Sequence, residues 1–377
     1  MKDQNSYTFP NEPSRFDPRH IDELLVYSNK INASDITIQT NSEIIAEVYG
    51  KLYKITNRAL SHTEVSGIIN HIYGANGTTQ ILRGEDIDTH YEVRPGRNQR
   101  YRHRVNGVGC FVDGKQGIQI TIRTIPTVPP SIKAMNLPEH IIKAIAPPDG
   151  IIYIVGATGS GKSTLLASII KMLAEEAESH RKILTYESPI EFVYDSIEMP
   201  TSIVSQSEIP KNLPSFAAGV RNALRRKPKL ILVGESRDPE TIGASLEAAL
   251  TGHPVYTTLH SNGVAETIRR LVGAFPIEER LGRTIDIIET VRVVIAQRLE
   301  PTVDGKRTPL REYLIFDEKI RDKILDSDPN QITATVRKLV EEFGQPMRTD
   351  IENKYKDGII SERTYKMLMT RFKHENS

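Results

Sequence analysis

The sequence has one cysteine, no tryptophan and no long apolar run among its 377 residues. A single thiol, Cys110, excludes an internal disulfide and any cysteine-cluster zinc site, which suits a reducing compartment. In its strand-like setting Cys110 reads as a small buried apolar residue. Nothing approaches the roughly 20 consecutive apolar residues that a membrane-spanning helix needs, and no apolar core follows a basic start. A cytoplasmic protein with only peripheral membrane contact is expected. Charge of one sign is missing too: 49 Lys and Arg stand against 48 Asp and Glu. That balance leaves no global basic footprint for a nucleic-acid partner, and no direct nucleic-acid binding is expected. There is no internal repeat and no low-complexity tract. The length exceeds what one core usually serves and predicts two domains.

Residues 1–16 carry Asn, Ser, Pro and scattered charge without period and read as a flexible lead-in. At Asp17-Pro18 a capping residue and a first-turn proline precede an apolar stripe of Ile21, Leu24 and Leu25, the start of a helix. Strand-like runs follow over 35–40 and 43–49. Ser61-His62-Thr63-Glu64 is a capping box for a helix with Val65, Ile68, Ile69 and Ile72 on one face, stopped at Gly74. Strands alternate over 87–123, so 17–124 is expected to be a small α+β domain. Six prolines between Ile125 and Gly150 stiffen the chain and read as a linker over 125–149. Beyond it, strands at 151–155, 182–187, 230–233 and 255–259 alternate with helices near 215–226 and 238–251. This is the rhythm of a mostly parallel sheet with helices on both faces, an α/β class. A strand over 291–299 and helical segments to the C-terminus complete a second domain, 150–377.

The chemistry centres on Gly156-Ala157-Thr158-Gly159-Ser160-Gly161-Lys162-Ser163-Thr164. It has the spacing of a phosphate loop: a Gly, four residues, then Gly-Lys-Ser. An apolar run precedes it, and Leu165, Leu166, Ile169, Ile170 and Leu173 recur with helical spacing after it, so the loop joins a buried strand to a helix. Gly156, Thr158, Gly159, Ser160, Gly161, Lys162, Ser163 and Thr164 are therefore expected to hold the phosphates of a nucleotide. Glycines let backbone N–H groups close around phosphate oxygens, and the helix N-terminus adds partial positive charge. Lys162 would reach the β- and γ-phosphates, and the Ser163 hydroxyl would ligate magnesium. Leu230-Ile231-Leu232-Val233-Gly234-Glu235 is an apolar strand ending in an acid, the pattern of the second nucleotide motif. Glu187 and Glu191 flank Ser188-Pro189-Ile190 after another strand, and His260 ends a further one. Ligands of open α/β sheets lie at the carboxyl ends of the strands, so these groups point to one crevice.

In chain order these residues resemble the secretion and pilus ATPase superfamily of type II and type IV systems. The phosphate loop comes first, then an Asp-box counterpart at Ile183-Leu184-Thr185-Tyr186-Glu187-Ser188-Pro189-Ile190-Glu191. Next come the second motif through Gly234-Glu235-Ser236-Arg237-Asp238 and a His box from Thr251-Gly252-His253 to Thr257-Thr258-Leu259-His260. The similarity extends to Ala33-Ser34-Asp35, to 101–106, to Arg123-Thr124-Ile125-Pro126 and to 319–325. It implies a PAS-like first domain, a RecA-like second domain with C-terminal helices, and magnesium-dependent ATP hydrolysis in a hexameric ring. By this resemblance Glu191 matches the Asp-box glutamate proposed to activate water. Glu235 matches the magnesium-side glutamate, acting directly or through water, and His260 a catalytic or phosphate-sensing histidine. In such ATPases a neighbour's N-terminal domain supplies cations to the γ-phosphate, and Arg102, Arg104 and Arg123 stand at the matching positions as candidate arginine fingers. Arg102 and Arg104 alternate on one strand and so share a face. Ser188 departs from the family, which usually has Asp there; Glu187 and Glu191 remain. Pilus-assembly and type II members commonly carry a four-cysteine zinc element, which this chain cannot build. Within the superfamily it is similar to the retraction-type pilus ATPases and most closely to the type IVB (Dot/Icm) secretion ATPases. That implies a motor docked at the cytoplasmic face of an inner-membrane secretion complex.

Three other readings compete with this one. Pilus retraction would use the same chemistry in a different machine. A nucleic-acid motor is opposed by the balanced charge and by the lack of aromatic-rich single-strand features. A nucleotide-gated docking module with little turnover has no need of water-activating groups, which Glu191, Glu235 and His260 supply.

Overall fold

The computed structural model describes residues 7–96, 99–125 and 128–375, and the chain divides into two compact units, 1–127 and 128–377. Residues 1–6 of the expected lead-in and 126–127 of the expected linker lie outside the described residues.

The first unit is an antiparallel sheet covered by helices. In chain order it runs α1 (His20–Lys30), β1 (Ala33–Gln39), β2 (Ile45–Val48), β3 (Lys51–Lys54), α2 (His62–Tyr73), α3 (Gly77–Leu82), β4 (Ile87–Gly96), β5 (Gln99–Val112) and β6 (Lys115–Ile125). Among the described residues the sheet order is β3-β2-β1-β6-β5-β4. Ile21, Leu24 and Leu25 of α1 and Val65, Ile68 and Ile69 of α2 share one core with Ile36, Ile38, Val105, Ile118, Ile120 and Ile122. The helical 3–4 spacing meets the strand period of 2 across that layer. Two expectations need correction. The lead-in is not loose from Tyr7 onward: Phe9 and Phe16 are buried in this core, and the Phe9 N–H donates to the Ile55 carbonyl at 2.7 Å. Two aromatics are enough to anchor a segment whose polar composition hides them. Cys110 is half-exposed, not buried, because it lies close to the β5–β6 hairpin turn, where Phe111 is exposed as well.

The second unit opens inside the proline-rich segment. Residues 131–145 form a short 3-10 turn (Ile132–Met135) and α4 (Glu139–Ala144), and Leu137, Ile141 and Ile145 are buried against the following elements. From Val128 the expected linker is thus part of this unit. There follow β7 (Gly150–Val155), α5 (Lys162–Glu175), β8 (Lys182–Glu187), β9 (Ile203–Glu208), α6 (Phe216–Ala223), β10 (Leu230–Val233), α7 (Pro239–Leu250), β11 (Pro254–Leu259), α8 (Val264–Gly273), α9 (Arg280–Thr290), β12 (Val291–Pro301) and β13 (Arg307–Ile315). Helices α10 (Glu318–Leu325), α11 (Ile332–Phe343), α12 (Met347–Lys356) and α13 (Glu362–Glu375) close the chain. The sheet order is β13-β12-β7-β11-β10-β8-β9, parallel except for β13 against β12. Strand β13 occupies a stretch expected to be helical.

Strand β7 is buried along its whole length, and its residues alternate between two cores. Ile151, Tyr153 and Val155 pack with α6 to α9, while Ile152 and Ile154 pack with Leu165, Ile169 and Leu173 of α5. A strand buried on both faces needs an unbroken apolar run, which is what 151–155 provides. The sheet is therefore sandwiched, and the loop leaving β7 emerges at its carboxyl edge.

The first unit carries a titratable anchor. Glu64 closes the capping box on Ser61, accepts the Phe16 N–H at 2.6 Å and pairs with the Arg58 guanidinium at 2.6 Å. Burial alone would raise its carboxyl, but Arg58 and the N–H and O–H donors outweigh it and bring it down to about 2. A depressed folded-state value gives stability that is complete above the ordinary value of 4.5 and is lost as pH falls toward 2. Hydrogen exchange of first-unit peptides between pH 7 and pH 3 should show this loss in the native chain. Glu64→Gln should cost about 2 kcal/mol at pH 7 and flatten the acid dependence.

Candidate functional site

The carboxyl ends of β7, β8, β10 and β11 form one rim, and each delivers an expected site residue to it. The loop 156–161 follows β7 and turns into α5 at Lys162. Glu187 ends β8 with Glu191 just beyond it, Glu235 lies two residues past β10, and His260 directly follows β11. Two glycines make the loop possible. Gly156 has φ +148, and a Cβ there would stand 2.2 Å from the Gln297 carbonyl oxygen and 2.6 Å from Ser160 Oγ. Gly161 takes φ +82 at the start of α5, a left-handed conformation that spares only glycine its usual strain.

The residues present fit a polyphosphate. Ser160 Oγ is buried with no hydrogen-bond partner among the described residues, an orphan beside the cradle that a Gly156 side chain would fill. Lys162, only 8% exposed, folds its ammonium back on the loop, donating to the Gly156 and Ala157 carbonyls at 2.8 and 2.9 Å. Burial pulls its pKa down, and the Glu235 and Glu191 carboxylates offset part of that. Among the described residues no group of three His, Cys, Asp or Glu side chains could hold a metal by itself. Magnesium beside phosphates keeps several waters and takes one or two protein ligands. The exposed Ser163 hydroxyl and the half-buried Glu235 carboxylate are donors of that kind.

The charges at the rim are arranged around Glu235. His260 Nε2 lies 3.4 Å from one of its carboxylate oxygens, and Arg237 Nε lies 3.7 Å from the other. Burial lowers the His260 pKa, the Lys162 ammonium lowers it further, and Glu235 works the other way. The net direction favours the neutral imidazole. Thr258 Oγ1 donates to the Gly234 carbonyl at 2.5 Å, and the Ser236 N–H donates to the Thr258 carbonyl at 2.9 Å, which fixes the turn that carries Glu235 against β11. Glu187 accepts from Thr185 Oγ1 at 2.6 Å and from Gln206 Nε2 at 3.0 Å, so it is engaged within its own sheet edge.

The three arginines lie in the first unit. Arg104 and Arg123 are directly opposite in register on β5 and β6 and both are exposed. Asp88 takes Arg104 through two hydrogen bonds of 3.0 and 2.5 Å, and Asp35 takes Arg123 at 2.8 Å. Arg102 does not share that exposure: it is 3% accessible, with its Nε 3.9 Å from Glu92.

Two residues at the loop were not anticipated. Gln297, in the middle of the apolar strand β12, donates to the Ser160 carbonyl at 2.7 Å, and Arg311 donates to Gln297 Oε1 at 2.8 Å. An amide within Val-Val-Ile-Ala-Gln-Arg-Leu is a buried polar group in need of a partner, and this was the available signal.

If Lys162, Glu235 and His260 share one electrostatic field, each change has a sign. In an NMR titration of the imidazole, Lys162→Ala should raise the His260 pKa and Glu235→Gln should lower it further. No movement in either variant would separate His260 from the pair.

Comparison with known proteins agrees with this geometry. The family described as T2SSE, Type II/IV secretion system protein, matches residues 30–315. A twitching motility protein of Neisseria gonorrhoeae is 34% identical over 315 residues, 83% of this chain and 81% of its own. The X-ray structure of the Legionella pneumophila ATPase DotB superposes with a TM-score of 0.87 at 63% identity, over 97% of this chain and 99% of that one. The crystal structure of the pilus retraction motor PilT with bound ADP gives a TM-score of 0.80 at 29% identity, over 92% and 95%. The phosphate loop, the acids at the rim and these likenesses lead to one conclusion: the chain is an ATP-hydrolysing member of the type II/IV secretion system protein family.

Proposed function

We propose that the chain is the ATP-driven motor of a type IVB, Dot/Icm-like, secretion system, working as a homohexameric ring at the cytoplasmic face of an inner-membrane complex. The observation that carries this reading is the convergence of Lys162, Glu235 and His260 at one rim, together with 63% identity to DotB. Pilus retraction is less well supported, since identity to PilT proteins is 29% and 34% against 63% to DotB.

In the proposed mechanism the loop N–H groups and Ser160 Oγ take the phosphate oxygens. Lys162 exchanges the Gly156 and Ala157 carbonyls for the β- and γ-phosphates, trading neutral acceptors for charged ones. Magnesium, held by Ser163 and by Glu235 directly or through water, would neutralise charge on the β- and γ-oxygens. Glu191, half-buried and close enough to act on Lys162, accepts the proton of the attacking water. Neutral His260 reports the γ-phosphate through its contact with Glu235. Arg104 and Arg123, exposed and paired with Asp88 and Asp35, would turn to a neighbouring subunit's γ-phosphate. Arg102 is the third candidate by resemblance, but it is buried beside Glu92 and lacks the exposure of the other two. Such a contact across subunits closes a head-to-tail ring.

Lys162→Ala should lower phosphate release about 10³-fold with the fold intact, because it removes a charge from the transition state without touching the core. Glu191→Gln should keep nucleotide binding and lose turnover, since the amide preserves shape but not basicity. Equal loss of binding in both variants would give Glu191 a binding role instead.

Arg102/Arg104/Arg123→Ala subunits should also be inactive alone, by about 10³-fold or more. Mixing them with Lys162→Ala subunits should restore part of the activity, because some interfaces then join a good loop to a good arginine set. Absence of rescue would place all catalytic groups within one chain.

A further inference from the structure

Gln297 and Arg311 stand opposite each other on β12 and β13 and are 4% and 5% exposed. Arg311 donates through Nε to Gln297 Oε1 at 2.8 Å and through Nη1 to the Met135 carbonyl at 2.6 Å, with the Asn136 carbonyl at 3.5 Å. Its own N–H donates to Asp350 of α12 at 2.8 Å. Gln297 passes the line on to the Ser160 carbonyl of the phosphate loop at 2.7 Å. Burial brings the Arg311 pKa down to about 10, which leaves a full positive charge inside the unit at neutral pH.

A buried guanidinium is an inefficient way to stabilise a core, since apolar residues of the same volume usually do as well or better. Its value here lies in what it orients. The Ser160 carbonyl and the Gly161 N–H belong to one planar trans peptide, so they point in opposite directions. Holding the carbonyl from the β12 side aims the N–H away from β12. The loop is also pressed close to this strand: Cβ atoms built on Gly156 and Gly161 would stand 2.2 and 3.0 Å from Gln297 atoms. At the other end lie Met135 and Asn136, in the stretch through which the chain enters the second unit.

We propose that Gln297 and Arg311 are positioning residues for the phosphate loop and form a polar relay that couples it to residues 131–136. A nucleotide that draws the Ser160–Gly161 peptide toward its phosphates pulls on Gln297, and Arg311 transmits the pull to the Met135 carbonyl. The relay rests on nucleotide binding at this loop, and the test separates the two.

The test uses the full chain with ADP and magnesium. Gln297→Glu keeps an acceptor for Arg311 but sets an oxygen against the Ser160 carbonyl; Gln297→Met is the second variant should the first fail to fold. Two quantities are measured: the Kd of a fluorescent ADP, and the change in hydrogen exchange at 131–137 when ADP is saturating. In the native chain ADP should alter exchange both at 156–166 and at 131–137. In the variant Kd should rise about tenfold, and the response at 131–137 should vanish while that at 156–166 persists. A merely structural role would lower stability without uncoupling the two segments. Retention of native Kd and of both responses would overturn the relay. So would a native chain whose 131–137 exchange ignores bound ADP. A native chain that binds no ADP would overturn the nucleotide reading itself.

Discussion

A buried ammonium at the carboxyl end of a buried strand is the constraint on which the phosphate-loop site depends. Burial favours the neutral form of Lys162, and what holds its charge is the pair of loop carbonyls folded onto it and the two glutamates near enough to act on it. Those carboxylates need their own positions. Strands β8, β10 and β11 supply them because a parallel sheet brings every carboxyl end to one side. His260 then sits between opposing fields whose net direction favours its neutral form. The site is thus a small set of mutually compensating charges held at the edge of a dry sheet, where each is worth more than in water.

The parts carried by local spacing could be read from the chain. The phosphate loop needs only its glycines, lysine and the apolar runs on either side. Glu235 and His260 follow from strands that end in polar residues. The capping box at Ser61 and the two apolar stripes of the first unit follow from periods of three and four. Parts that depend on distant pairing could not be read this way. Strand β13 alternates weakly and is defined by its antiparallel register with β12, so the Gln297–Arg311 contact has no local signature. Strand β9, Ile-Val-Ser-Gln-Ser-Glu, is an edge strand with mostly polar residues and lacks an apolar face. In the proline-rich segment the prolines hid the Leu137, Ile141, Ile145 stripe, which has the four-residue spacing of a packed helix.

Chemistry and mechanics meet at the phosphate loop. One side of it faces Glu235 and Glu191, the acids proposed to act on magnesium and water. The other rests on β12, where a buried amide and guanidinium connect it to the start of the second unit. The arginines of the first unit form a separate group: Arg104 and Arg123 are exposed cross-strand neighbours, paired with Asp88 and with the half-buried Asp35. On the proposed reading the site needs both sets from different subunits, and the motor turns over only when assembled.

Steady-state phosphate release, measured per subunit across a protein dilution series from nanomolar to micromolar, tests that claim most directly. Specific activity should rise with concentration and level off as rings form, in step with the assembled fraction seen by light scattering. Constant activity per subunit down to concentrations at which the chain is monomeric would contradict it and place the complete site within one chain.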